Sequence, residues 1–63
     1  MYRIIEFRPH GPVRVVKKIK PSGNDKADYL SAINYINNLQ TKLLRDKCFV
    51  EMSCDGKEWF ALA

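Results

Sequence analysis

Sixty-three residues, 46% hydrophobic and 29% charged, make one folded domain (1–63) with no room for a second core. The formal charge of +4 lies in the first third. Arg3, Arg8, Arg14, Lys17, Lys18 and Lys20 stand against Glu6 alone, a net of +5, while residues 21–63 come to −1. No apolar run approaches the ~18–20 residues of a membrane helix, and the N-terminal stretch lacks a signal peptide's apolar segment. A cytoplasmic protein with no membrane partner is therefore expected.

Tyr2 to Arg8 is rich in β-branched and aromatic residues and reads as a strand. Pro9-His10-Gly11-Pro12 is a turn. Beyond it Val13, Val15 and Ile19 alternate with Arg14, Lys18 and Lys20, giving a second strand with one apolar and one basic face. Val16 and Lys17 are out of phase with that alternation. The two strands are expected to form a hairpin.

Pro21 to Asp25 breaks the chain, and Asn24 or Asp25 can cap a helix whose first turn carries Asp25 and Asp28. At about 100° per residue, Tyr29, Ala32, Ile33, Ile36, Leu39, Leu43 and Leu44 fall on one half of the wheel. This predicts one helix of about 20 residues, roughly 30 Å long. Cys48, Val50, Met52 and Cys54 then alternate with Lys47, Phe49, Glu51 and Ser53 as a third strand. Asp55-Gly56 signals a hairpin, with Lys57 to Leu62 returning as the fourth strand. A two-residue turn sets Met52 against Trp59 and leaves Phe49, Phe60 and Leu62 on the far side. A three-residue loop reverses the fourth strand: Phe60 and Leu62 join the core, and Trp59 joins Phe49 outside. Either register leaves a large aromatic on the face away from the helix. The expected fold is α+β, a single antiparallel sheet of two β-hairpins in ββαββ order with one helix packed on one face.

The two cysteines, placed on one strand about 20 Å apart, are too distant for a disulfide and read as two buried thiols in a reducing compartment. His10 is the only histidine and stands in a Pro-flanked turn. With no nucleophile paired to it, no glycine-rich phosphate loop and no cluster of acids, neither an enzyme nor a metal or cofactor site is expected.

Two features point to binding. Arg14, Val16, Lys18 and Lys20 would share a strand face at ~7 Å spacing, close to the phosphate spacing of a nucleic-acid strand, with Lys17 adding charge. The competing reading is a lysine-rich edge that guards against sheet-to-sheet aggregation. On the far face of the sheet, Phe49 with Trp59, or with Phe60 and Leu62, would form an apolar patch of the kind that anchors protein interfaces. The same patch on a second copy would give a homodimer and relieve the small core.

Asp46-Lys47, Glu51, Cys54 and Gly56, around the third strand, resemble the corresponding stretch of discriminator-type antitoxins of T4-like phages. Those antitoxins and some anti-CRISPR proteins are also similar in size and in ββαβ order. The resemblance implies a stoichiometric binder that occupies a host protein's functional surface, without catalysis of its own. The function expected is a non-catalytic inhibitor of a host defence or nucleic-acid-processing protein with an acidic surface, acting in the host cytoplasm. Arg14, Lys17, Lys18 and Lys20 would steer the encounter, and Phe49, Trp59 and Phe60 would anchor it. The alternative is direct nucleic-acid binding through the basic hairpin.

Overall fold

The computed structural model describes residues 1–62. It is a small α+β fold with one four-stranded antiparallel sheet in the order β2-β1-β3-β4. In chain order the elements are β1 (Tyr2–Glu6), β2 (Arg14–Ile19), α1 (Asp25–Asn37), α2 (Lys42–Lys47), β3 (Cys48–Met52) and β4 (Phe60–Leu62). The two central strands, β1 and β3, supply most of the buried apolar side chains. Tyr2, Ile4, Cys48 and Val50 form the core with Ala32 of α1, and Tyr29, Ile33, Ile36, Leu39 and Leu44 pack around it. The edge strands carry little of that load, and β2 presents Lys17 and Lys18 to solvent. Charged edge residues oppose pairing with another sheet.

The β1–β3 ladder pairs Tyr2 with Met52, Ile4 with Val50 and Ile5 with Phe49. It is extended at one end by the Ser53 N–H donating to the Met1 carbonyl (2.9 Å), and at the other by the Phe7 N–H donating to the Lys47 carbonyl (2.8 Å). The β1–β2 ladder has a bulge. Ile4 pairs with Lys17 and Ile5 with Val15, which leaves Val16 as the extra residue. Val16 packs against the core. The phase slip at Val16-Lys17 in the sequence is thus the mark of this bulge, where two residues of one strand oppose one of the other.

Asn24 caps α1: its side chain accepts from the Ala27 N–H at 3.1 Å. Asp28, buried in the first turn, accepts from the Ser22 hydroxyl at 2.7 Å and ties the preceding loop to the helix. The Tyr2 hydroxyl donates to Asp25 at 2.8 Å, joining β1 to the same helix end. That bond, foremost, raises the Tyr2 pKa above its ordinary value, because ionisation would remove the donated proton beside a carboxylate.

The helix expected to run for 20 residues is broken in two. α1 has 13 residues, stops at the Asn37-Asn38 pair, and the chain restarts as a six-residue α2 after Thr41, whose backbone is extended. Asn and Thr are poor helix formers. An unbroken helix of about 30 Å would also overrun strands of five or six residues, which are roughly 17–20 Å long. The break resets the helical phase, so Leu44 packs on the core while Leu43, assigned to the same stripe, is 73% exposed.

The second hairpin also departs from expectation. Val50 pairs with Leu62 and Met52 with Phe60, the register of the three-residue alternative, but pairing stops there and Ser53 to Trp59 form a wider loop. Asp55 explains it. One carboxylate oxygen accepts from the Lys57 N–H (2.8 Å), the Glu58 N–H (3.0 Å) and the Ser53 hydroxyl (3.2 Å). The Ser53 hydroxyl oxygen in turn accepts from the Gly56 N–H at 2.7 Å. A side chain that gathers the following amides stabilises a loop instead of a tight turn. Gly56, at φ 78°, supplies the left-handed residue.

Cys54 belongs to this loop and is exposed, so the reading of two buried thiols on one strand is corrected: Cys48 alone is buried. Desolvation, and secondarily the charge of Glu6, raises the Cys48 thiol pKa and keeps it protonated. Among the described residues no helix is long and apolar enough to cross a membrane.

Candidate functional site

Helices cover one face of the sheet only. Cross-strand partners share a face, so the ladders define the composition of the open face. One row across β2, β1 and β3 is Val15, Ile5 and Phe49; the next, continuing to β4, is Lys18, Arg3, Glu51 and Ala61. Ile5 is buried although no helix lies over it, and Val15 and Phe49 flank it on either side. These flanking side chains remain 40% and 44% exposed, and Phe7 and Val13, beyond the strand ends, are exposed as well. The result is an apolar strip with a buried seed and a wet outer layer.

The neighbouring row is polar and tightly paired. The Arg3 Nε donates to Glu51 Oε1 at 2.7 Å across the β1–β3 ladder. The Arg3 guanidinium carbon also lies 4.1 Å from the centroid of the Trp59 ring. A cation over an indole face is attractive, so Arg3 holds Trp59 to the open side of the sheet. Beyond Trp59 the end of the sheet opens into a cleft of about 360 Å³, with Met1, Ile19, Pro21 and Trp59 as apolar walls and Lys18 and Lys20 among its lining.

The predicted site residues divide. Lys18, Lys20 and Trp59 come together at the cleft, and Phe49 lies on the same open face, in the row next to Arg3 and Lys18. Arg14 is separated from Lys18 by the bulge. It pairs with Glu6 on β1, and its Nε donates to Glu6 Oε1 at 2.8 Å. That bond, with Arg8 at 4.0 Å adding charge, holds the Glu6 carboxyl below its ordinary value. Lys17 sits opposite Ile4, on the helix side of the edge strand. Phe60 sits opposite Met52 on that same side and stays 58% exposed instead of joining the core; α1 packs chiefly over β1, β2 and β3. The single basic strand face is therefore corrected: Arg14, Val16, Lys18 and Lys20 do not form one row.

Arg3 and Glu51 belong to the open face and are not among the site residues expected from the sequence. Their signal was the opposite charges at Arg3 and Glu51, which acquire meaning only once β1 and β3 are known to be neighbours. Comparison with protein-family models, with curated proteins and with solved structures gives no match.

Proposed function

We propose that this chain is a small, non-catalytic binding protein that docks the open face of its sheet on an apolar, acid-rimmed surface of a larger protein and blocks it. An inhibitor of a host defence or nucleic-acid-processing factor, encoded by a phage or other mobile element and acting in the cytoplasm, fits this description. The observation that carries the reading is the strip of Val15 and Phe49 flanking Ile5. It exposes large apolar side chains on a face no helix covers, next to lysines that have no carboxylate within ion-pairing distance among the described residues. Contiguous exposed apolar surface with a polar rim marks interaction sites. Aromatic anchors set the dissociation rate, and rim charges set the association rate.

The test is capture of partners on the tagged chain from host lysate, split into nuclease-treated and untreated halves. The reading predicts a specific protein retained in both halves. It further predicts that Lys18→Glu slows association with that protein, while Phe49→Ala speeds dissociation. Recovery that collapses with nuclease would replace it with direct nucleic-acid binding, for which affinity falls steeply with salt.

A further inference from the structure

The cleft at the end of the sheet has a chemistry of its own. Its walls, Met1, Ile19, Pro21 and Trp59, are apolar, and the charged groups lining it are both cationic, Lys18 and Lys20. Tyr2 also lines it, but its hydroxyl is already committed to Asp25. Neither lysine has a carboxylate within 4.0 Å among the described residues.

The wall is preformed. Trp59 is held by the Arg3 guanidinium, and Arg3 by Glu51. Met1 is anchored through its α-amino group, which donates to the Ser53 carbonyl at 2.9 Å. Its methyl end lies against Gly56, where an added Cβ would approach the Met1 Cε to 3.2 Å. Gly56 thus does two things: it permits the left-handed turn, and it leaves room for the Met1 side chain.

We infer that this cleft receives an apolar side chain of the protein partner that is flanked by carboxylates, the side chain filling the Trp59–Pro21 space and the acids meeting Lys18 and Lys20. The inference rests on the proposed function and names the kind of segment its partner presents. Charge complementarity fixes the sign of the flanks, since both charges lining the cleft are positive. The apolar walls fix the centre. A peptide suits this site better than a nucleic acid. The bulge removes Arg14 from the row of cations that would follow a phosphate chain.

Trp59 is the only tryptophan, so its fluorescence reports on this site alone. The probe is the blocked pentapeptide Asp-Asp-Phe-Asp-Asp. It is compared with its Ser-centred analogue, with Lys-Lys-Phe-Lys-Lys and with a ten-residue oligothymidylate. The acidic Phe peptide is expected to change the Trp59 signal saturably and to bind more tightly than the other three. The double variant Lys18→Ala/Lys20→Ala, with its fold checked by circular dichroism, is expected to bind it about tenfold more weakly, the sum of two exposed ion pairs. An absent response, equal binding by the lysine variant, or tighter binding of the basic peptide or oligothymidylate would overturn the inference.

Phe49→Ala separates the two claims. It leaves peptide binding at the cleft unchanged, because Phe49 is not part of the cleft, yet it should still speed release of the captured partner. A cleft that ignores the peptide, alongside partner capture that still depends on Phe49, removes the cleft inference and leaves the proposed function standing.

Discussion

Ile4 and Ile5 are consecutive residues on opposite faces of the central strand, and what covers them differs. Ile4 is fully buried beneath α1, in a core shared with Tyr2, Ala32, Cys48 and Val50. Ile5 is nearly as buried with no helix above it, and Val15 and Phe49 flank it on the adjacent strands. On the helix face the covering layer is itself packed. On the open face the covering layer is left in water. The first arrangement stabilises the fold; the second leaves apolar surface available to a partner.

Truncation separates the two faces most sharply. Ile4→Ala is expected to cost about 2–5 kcal/mol, the usual range for a side chain removed from a closed core. Ile5→Ala is expected to cost less, about 1–2 kcal/mol, since Phe49 and Val15 are free to settle into the space. Urea unfolding of both variants measures the difference, and equal losses would erase the distinction. The thiols supply a second contrast. Cys54, exposed in the Ser53–Trp59 loop, should react at once with an aromatic disulfide reagent, whereas Cys48, buried with a raised pKa, should react only when the sheet opens. Mass spectrometry of the singly labelled chain identifies which reacted first.

The smallest effect expected is on acid stability. Glu6, through its bond from Arg14, and Asp55, through the backbone amides of Glu58 and Lys57, both have pKa values lowered from 4.5 and 3.8. A lowered folded-state value means that the contribution is present above the ordinary pKa and lost as pH falls through the folded one. The melting temperature should therefore be level near neutrality and decline below about pH 4.5. Glu6→Gln and Asp55→Asn should each flatten part of that decline, and a decline unchanged in both variants would assign it elsewhere. Because both carboxylates sit near solvent-exposed partners, the effect is screened by salt.

Much of the fold is legible in the sequence because it rests on local signals. The strands follow alternation and the Asn24 cap follows its position before the helical pattern, whereas the broken alternation at Val16 and Lys17 acquires its meaning as a bulge only from the β1–β2 ladder. What resists reading is non-local. The helix periodicity runs on past Asn38 into Leu43 and Leu44, and the weak helix formers Asn37, Asn38 and Thr41 become a break only against the length of the sheet the helix must cover. Asp55-Gly56 is a turn signal, but the number of amides that Asp55 gathers decides the size of the loop. For the site, Lys18, Lys20, Phe49 and Trp59 are visible as residue types. Their grouping, and the role of Arg3 and Glu51 in placing Trp59, depends on β1 lying beside β3.

The most direct test of the central claim, that the open face binds while the helix face stabilises, is Phe49→Ala measured twice on the same preparation. Its unfolding free energy is expected to fall by about 1–2 kcal/mol, as for a half-buried side chain, less than for Ile4→Ala, while the captured partner protein dissociates markedly faster. Unchanged partner dissociation in a variant that folds normally would contradict the account and leave the apolar strip of the open face without a function.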